Sequence, residues 1–201
     1  AVIISDKGGL KIGGRIDYLP FGLFTNIGQF RQIDVMREQV PKLVVGVHYS
    51  HNSGMSSRRG RYSGRLVYLN NNDEESLPDY FKTGIDFLFK YKGLSALGEY
   101  VKSSATVPSD ITQRVRNDGS ISTSFLVNDM QNVDAYVKGR MMLGEAYNFQ
   151  LGYLFKNNIS LDVRYTNLKA DNNSFMNNAT FYNRPNYYTI GLTKLASRNY
   201  G

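Results

Sequence analysis

Residues 81–92 read FKTGIDFLFKYK, and they alternate without a break. Phe81, Thr83, Ile85, Phe87, Phe89 and Tyr91 fall on one side of an extended chain; Lys82, Gly84, Asp86, Leu88, Lys90 and Lys92 fall on the other. Period two is the signature of a β-strand, whose successive side chains point to opposite faces. The run is also long. Strands of soluble domains average about five to six residues, whereas a strand tilted across a bilayer needs about nine to eleven.

The same pattern spreads in both directions. Tyr91-Lys92-Gly93 reads as a tight turn into a weaker strand at 94–102. Upstream, Leu10, Ile12, Gly14, Ile16 and Tyr18 oppose Lys11, Gly13, Arg15 and Asp17, and the stretch 42–50 alternates likewise. Downstream, strands are expected at 147–155, 159–166 and 188–193, the first two joined by a tight turn at Lys156-Asn157-Asn158. Three long polar stretches, 51–79, 104–146 and 169–184, separate the remaining strands. Short turns at one end and long loops at the other are the habit of outer-membrane barrels. Helix is scarce: 32–38 has room for a turn or two, and 121–142 is expected to add a hairpin inside a long loop.

Composition narrows the reading. The 201 residues carry 24 Lys and Arg against 17 Asp and Glu, a formal net charge of +7, which suits an anionic partner. There is no Cys, which excludes disulfide frameworks and thiolate metal sites. The chain has 15 Tyr and 11 Phe but a mean hydropathy of −0.38, as expected of a wall with one greasy and one wet face. No apolar run reaches the roughly 18 residues of a membrane helix. No signal peptide is visible at the start, AVIISDKGGLKIGG.

The expected fold is therefore all-β: an antiparallel transmembrane β-barrel, with 1–201 forming part of a single barrel domain. The apolar faces are unbroken, with Tyr or Phe toward their ends (Tyr18, Tyr49, Phe81, Tyr91, Tyr147, Phe155, Tyr165), as in aromatic girdles. Every backbone amide in lipid needs a partner, so such a wall must close; seven strands are odd in number, and the wall as given is expected to be incomplete. A soluble barrel with the apolar face inside is the competing arrangement.

If the polar face lines a lumen, it offers Lys11, Arg15, Lys42, Lys82, Lys90, Lys92 and Arg164 against Asp17, Asp86, Glu99 and Asp162. A ring of basic side chains favours anions in a narrow low-dielectric pore. Arg15, Lys82 and Arg164 sit near mid-strand. The bland alternative is that the charges pair off, Arg15 with Asp17 and Arg164 with Asp162. The cluster Arg58, Arg59, Arg61 and Arg65 reads first as a solvated loop; the other reading is that it steers anions or holds lipopolysaccharide phosphates. No nucleic-acid recognition fold accompanies it. His48 and His51 point to opposite strand faces, so one metal ion cannot use both. The oxygen-rich 70–75, NNNDEE, lacks a calcium-loop spacing. GGLKIGG at 8–14 lacks the frame of a phosphate cradle, and its glycines suit a crowded barrel wall. No catalytic set is present, so no enzyme and no cofactor are expected.

Several segments resemble the phosphate-selective porins in their Bacteroidetes-type form: GGRIDYLPFGLF (13–24), PKLVVGVHYSHN (41–52), DFLFKYKGLSALGEY (86–100), YNFQLGYLFKNNISLDVRYTNLK (147–169) and YYTIGLTK (187–194). The resemblance implies the second half of a barrel of about sixteen strands, with about seven strands before Ala1 and two after Gly201. It implies a passive diffusion channel in the bacterial outer membrane, general or preferring anions such as phosphate, and usually a homotrimer among lipid and lipopolysaccharide. The rival is a non-conducting barrel that scaffolds envelope components.

Overall fold

The computed structural model describes residues 9–55, 66–116, 118–178 and 184–196. In chain order the strands are β1 (Lys11–Tyr18), β2 (Lys42–Asn52), β3 (Leu66–Leu69), β4 (Asp79–Tyr91), β5 (Leu94–Thr106), β6 (Gln113–Arg116), β7 (Ile121–Ser122), β8 (Leu126–Val127), β9 (Met130–Gln131), β10 (Gly144–Leu154), β11 (Ile159–Ala170) and β12 (Asn186–Lys194). The one α-helix among the described residues is α1 (Val133–Lys138). No described helix is long and apolar enough to cross a membrane.

Seven strands form one antiparallel sheet in the order β1-β2-β4-β5-β10-β11-β12. All seven were expected from the alternation. Most run further than expected, β4 and β5 each reaching 13 residues. The sheet is open among the described residues: β1 and β12 stand at its two ends with one ladder neighbour each.

The tight turns follow from local chemistry. Tyr91 pairs with Leu94, and the two residues between them, Lys92 (φ 48°) and Gly93 (φ 92°), both take positive φ. Positive φ at both central positions is the hairpin turn whose twist matches the strands, and glycine adopts it without strain. A side chain at Gly93 would also stand 2.7 Å from the Leu154 carbonyl of the neighbouring hairpin.

The sheet is inside out relative to a soluble one. Ile16, Tyr18, Val47, Ile85, Phe149, Val163 and Ile190 lie on one face and are exposed, Ile16 at 78% and Ile190 at 79%. The opposite face carries the polar side chains and is the more buried: Lys90 is 2% exposed, Ser95 7%, Gln150 9% and Ser160 0%. Burial normally runs the other way, because apolar surface is what water expels.

Two bodies cover the polar face. At the turn end, the 19–41 connection between β1 and β2 folds back across it. It holds two short 3-10 turns within Thr25–Phe30, broken by positive φ at Asn26 and Ile27. The turn or two expected at 32–38 is not helical: that stretch is irregular, with a bend and a turn only. Its shape is set by side chains, as described below.

At the loop end, β3, β6 and β7 form a small sheet, and β8 and β9 a hairpin. Their core is Tyr68, Ile111, Phe125, Val137, Met141 and Leu143. The hairpin expected within 121–142 is present only at β8–β9; the AYVKGRMML part is largely α1 and the turn after it. Asn132 caps α1 by accepting from the Ala135 N–H at 2.9 Å, and Asp134 pairs with Lys138 at 2.9 Å. An Asn cap and an i,i+4 acid–base pair both favour a helix.

Candidate functional site

The polar face is the candidate site, and its central feature is Arg15. From β1 its guanidinium reaches over β2 to Asp86 on β4, with bonds of 2.6 and 2.7 Å to the two carboxylate oxygens. It also contacts Asp17 at 2.7 Å. Gly46 on β2 makes the crossing possible: a Cβ there would collide with Arg15 Nη2. His48 Nδ1 lies 3.9 Å from the same Asp86 carboxylate. Arg15 is thus paired, as the bland alternative had it, and with a second acid that spacing in sequence does not reveal.

Arg164 behaves differently. Its Nε and Nη2 both donate to Gln150 Oε1, at 3.0 and 2.6 Å. The expected pairing with Asp162 is absent among the described residues; Asp162 accepts from Ser160 Oγ at 3.0 Å instead. A neutral amide does not compensate the Arg164 charge, and among the described residues no carboxylate forms an ion pair with it. Lys82 and Lys11 are exposed and have no hydrogen bond or ion pair among the described residues. Lys82 stands opposite Ser50 and Ser103 in the ladder.

Lys90 and Lys42 depart from a role as free cations. Lys90 is buried beneath the 19–41 insert, and its ammonium donates to the carbonyls of Gly28 and Ile33, each at 2.9 Å. It holds the insert and is closed to a solute. Lys42 donates to the Phe21 carbonyl at 2.8 Å. Lys92 lies at the turn with its ammonium 4.9 Å from the Tyr91 ring.

The insert is pinned by further ionic hydrogen bonds. Asp34, 1% exposed, accepts from the Gly93 N–H at 2.7 Å and from the Glu38 N–H at 3.1 Å. Glu38, 3% exposed, accepts from the Thr25 N–H and hydroxyl at 2.6 and 2.9 Å. Arg37 donates to the carbonyls of Leu154 and Lys92. Charged partners make hydrogen bonds roughly twice as strong as neutral ones. Between insert and wall lies a cavity of ≈ 380 Å³, lined by Arg15, Asp17, Asp86, Gln29, Arg31 and Phe30 among others. Sequence reasoning missed the insert; the two acids and two basic residues packed into 31–38 were its one signal.

The other residues singled out in the sequence fall as follows. His51 lies on the opposite face from His48, stacked on Phe81 at 4.5 Å and 3.3 Å from Asp79. Asn70 organises the 70–75 loop by accepting from the Asn72 and Glu74 N–H groups. Among the described residues, no group of three or more acidic or His side chains is placed to hold a metal. Arg58, Arg59, Arg61 and Arg65 lie outside the described residues.

Comparison of the chain with protein-family models, with curated proteins and with solved structures finds no match.

Proposed function

We propose that this sheet is part of the wall of an outer-membrane β-barrel, of about sixteen strands, that works as a porin. The observation that carries the reading is the inverted sheet: exposed apolar side chains on one face in six of its seven strands, and on the other a polar face whose Lys90, Ser95, Gln150 and Ser160 are buried. A continuous apolar face of this kind needs a cover, and lipid is the cover that long strands fit. From Phe81 to Tyr91 the strand rises roughly 33 Å, or about 25 Å of depth at the tilt typical of such barrels, which matches their apolar band. Tyr100 and Tyr147 pack at 5.0 Å and Tyr165 and Tyr188 at 5.2 Å toward the loop end; Tyr153 and Phe155 pack at 4.9 Å toward the turns. Just beyond the upper row, Lys102, Glu145 and Lys169 stand side by side in register. Rings at two levels, with charges outside the upper one, suit two membrane interfaces.

In this reading solutes diffuse passively along the polar face. Lys11, Lys82 and Arg164, which form no ion pair among the described residues, supply the positive charge that favours small anions such as phosphate, and Arg15 is a strut of the wall. The resemblance to phosphate-selective porins adds a trimeric assembly in a Bacteroidetes-type outer membrane. The test is conductance of the protein in planar bilayers, with the reversal potential read in a KCl gradient. Anion-selective steps that weaken in Lys82→Glu and Arg164→Glu are expected; cation selectivity in the wild type overturns the anion preference.

The insert favours a second reading. It fills part of the polar face at the turn end, so a barrel scaffold that conducts little is the rival. Closed, inserted barrels without steps would favour it.

A further inference from the structure

We propose that the loop-end cap holds a binding site for a small acidic sugar, built on Arg140 and Tyr136. The Tyr136 hydroxyl accepts from two guanidinium groups at once, Arg114 through Nη1 and Arg140 through Nη2, the latter at 2.5 Å. Both guanidiniums also lie against the Tyr136 ring, 4.8 and 4.6 Å from its centroid. Among the described residues neither has a carboxylate within 4.0 Å. Arg114 donates its Nε–H to the Ser124 carbonyl at 2.9 Å, whereas the buried Arg140 Nε has no partner among the described residues. Two cations gathered on one neutral oxygen repel each other, and an anion beside them relieves the repulsion.

The space beside them gives the anion its class. A cavity of ≈ 450 Å³ is lined by Arg140, Tyr136, Asn128, Asn172, Asn173 and Phe175, with Leu126 and Val127 at its wall. The planar fork of Arg matches a carboxylate. Three amide side chains each offer donors and an acceptor to hydroxyl groups. Phe175 and the aliphatic pair offer an apolar surface to the C–H face of a sugar ring. A bare inorganic anion would use the arginine and leave the amides and the apolar wall idle. The site lies outside the wall strands and does not depend on conduction.

The experiment is a calorimetric titration of the whole protein in detergent with glucuronate, glucose and inorganic phosphate. Glucuronate is expected to bind, with glucose at least about tenfold weaker for want of the charge-assisted hydrogen bond and phosphate at least about tenfold weaker for want of the contacts to the amides and the apolar wall. Arg140→Met should weaken glucuronate about tenfold. Because that variant can loosen the cap, Asn172→Ala at the exposed rim serves as the second, with a loss of about threefold expected for one neutral hydrogen bond. Absence of glucuronate binding to the wild type overturns the proposal. So does phosphate binding as tight as glucuronate, or a glucuronate affinity unchanged in both variants.

Discussion

The insert at the turn end and the cap at the loop end both sit over a polar face, yet they are held by opposite means. The cap is a small hydrophobic core: Phe125 and Val137 are 0% exposed, and rings of Tyr68 and Tyr136 pack on Phe125. The insert has only a short apolar foot, with Phe24 against Val44 and Leu88. Beyond one backbone bond, from the Lys92 N–H to the Glu38 carbonyl, its anchorage among the described residues rests on charged side chains: Asp34, Glu38, Arg37, Lys42 and Lys90. A segment lying on a polar wall finds few apolar partners, and its buried charges must be satisfied there by hydrogen bonds. The cap stacks on itself and is free to build a core.

Substitutions should separate the two. Phe125→Ala is expected to cost the cap about 4 kcal/mol, as truncation of a fully buried ring does, leaving the sheet intact. Hydrogen exchange should then speed up in β6 and α1 and stay slow in β4 and β5. Lys90→Met should cost the insert about 3 kcal/mol, because two carbonyls and two buried acids lose their cation. Faster trypsin cleavage at Arg31 and Arg37 is the readout, with the cap unaffected; unchanged cleavage would show that the apolar foot suffices.

pH offers a third separation. Burial pushes the Tyr68 phenol up to about 12, with Arg140 and Arg114 pulling weakly the other way. Its contribution to the cap is full below about pH 10 and is lost as pH rises through 12, roughly 2–3 kcal/mol in all. Near-ultraviolet circular dichroism should show cap loosening in that window, and Tyr68→Phe should lack that part of it. Asp34→Asn keeps the shape but weakens the bonds to Gly93 and Glu38, an expected loss of about 1–2 kcal/mol, again read by trypsin. The smallest effect belongs to Asp86→Asn. Its pair with Arg15 is partly exposed, so about 1 kcal/mol or less is expected from denaturant midpoints.

The same contrast explains what the sequence disclosed. Strands such as β4 and β11 were legible because each residue's face is fixed by period two and each turn by local chemistry. The Arg15–Asp86 contact was not, because it joins residues 71 apart through a strand order that alternation does not state. The insert was hidden for the same reason: 19–41 has no period, and its form is dictated by Lys90 and Gly93 elsewhere in the chain. Part of the cap was readable in principle. Asn132, Asp134 and Lys138 are the cap and charge pair of a short helix, but Val133, Ala135 and Val137 alternate and suggest a strand. For the candidate site, the basic residues were found by face alone; which of them stay free depended on partners in other strands and in the insert.

A contact that jumps a strand also carries information about time. Arg15 and Asp86 meet only after β2 has taken its place between them, in the one register that puts Gly46 beneath the guanidinium. The bond cannot guide the first pairing of hairpins and closes only on a finished three-strand unit, like a latch. Asp86→Asn is therefore expected to quicken unfolding while leaving the folding rate unchanged, measurable from the two arms of a chevron plot.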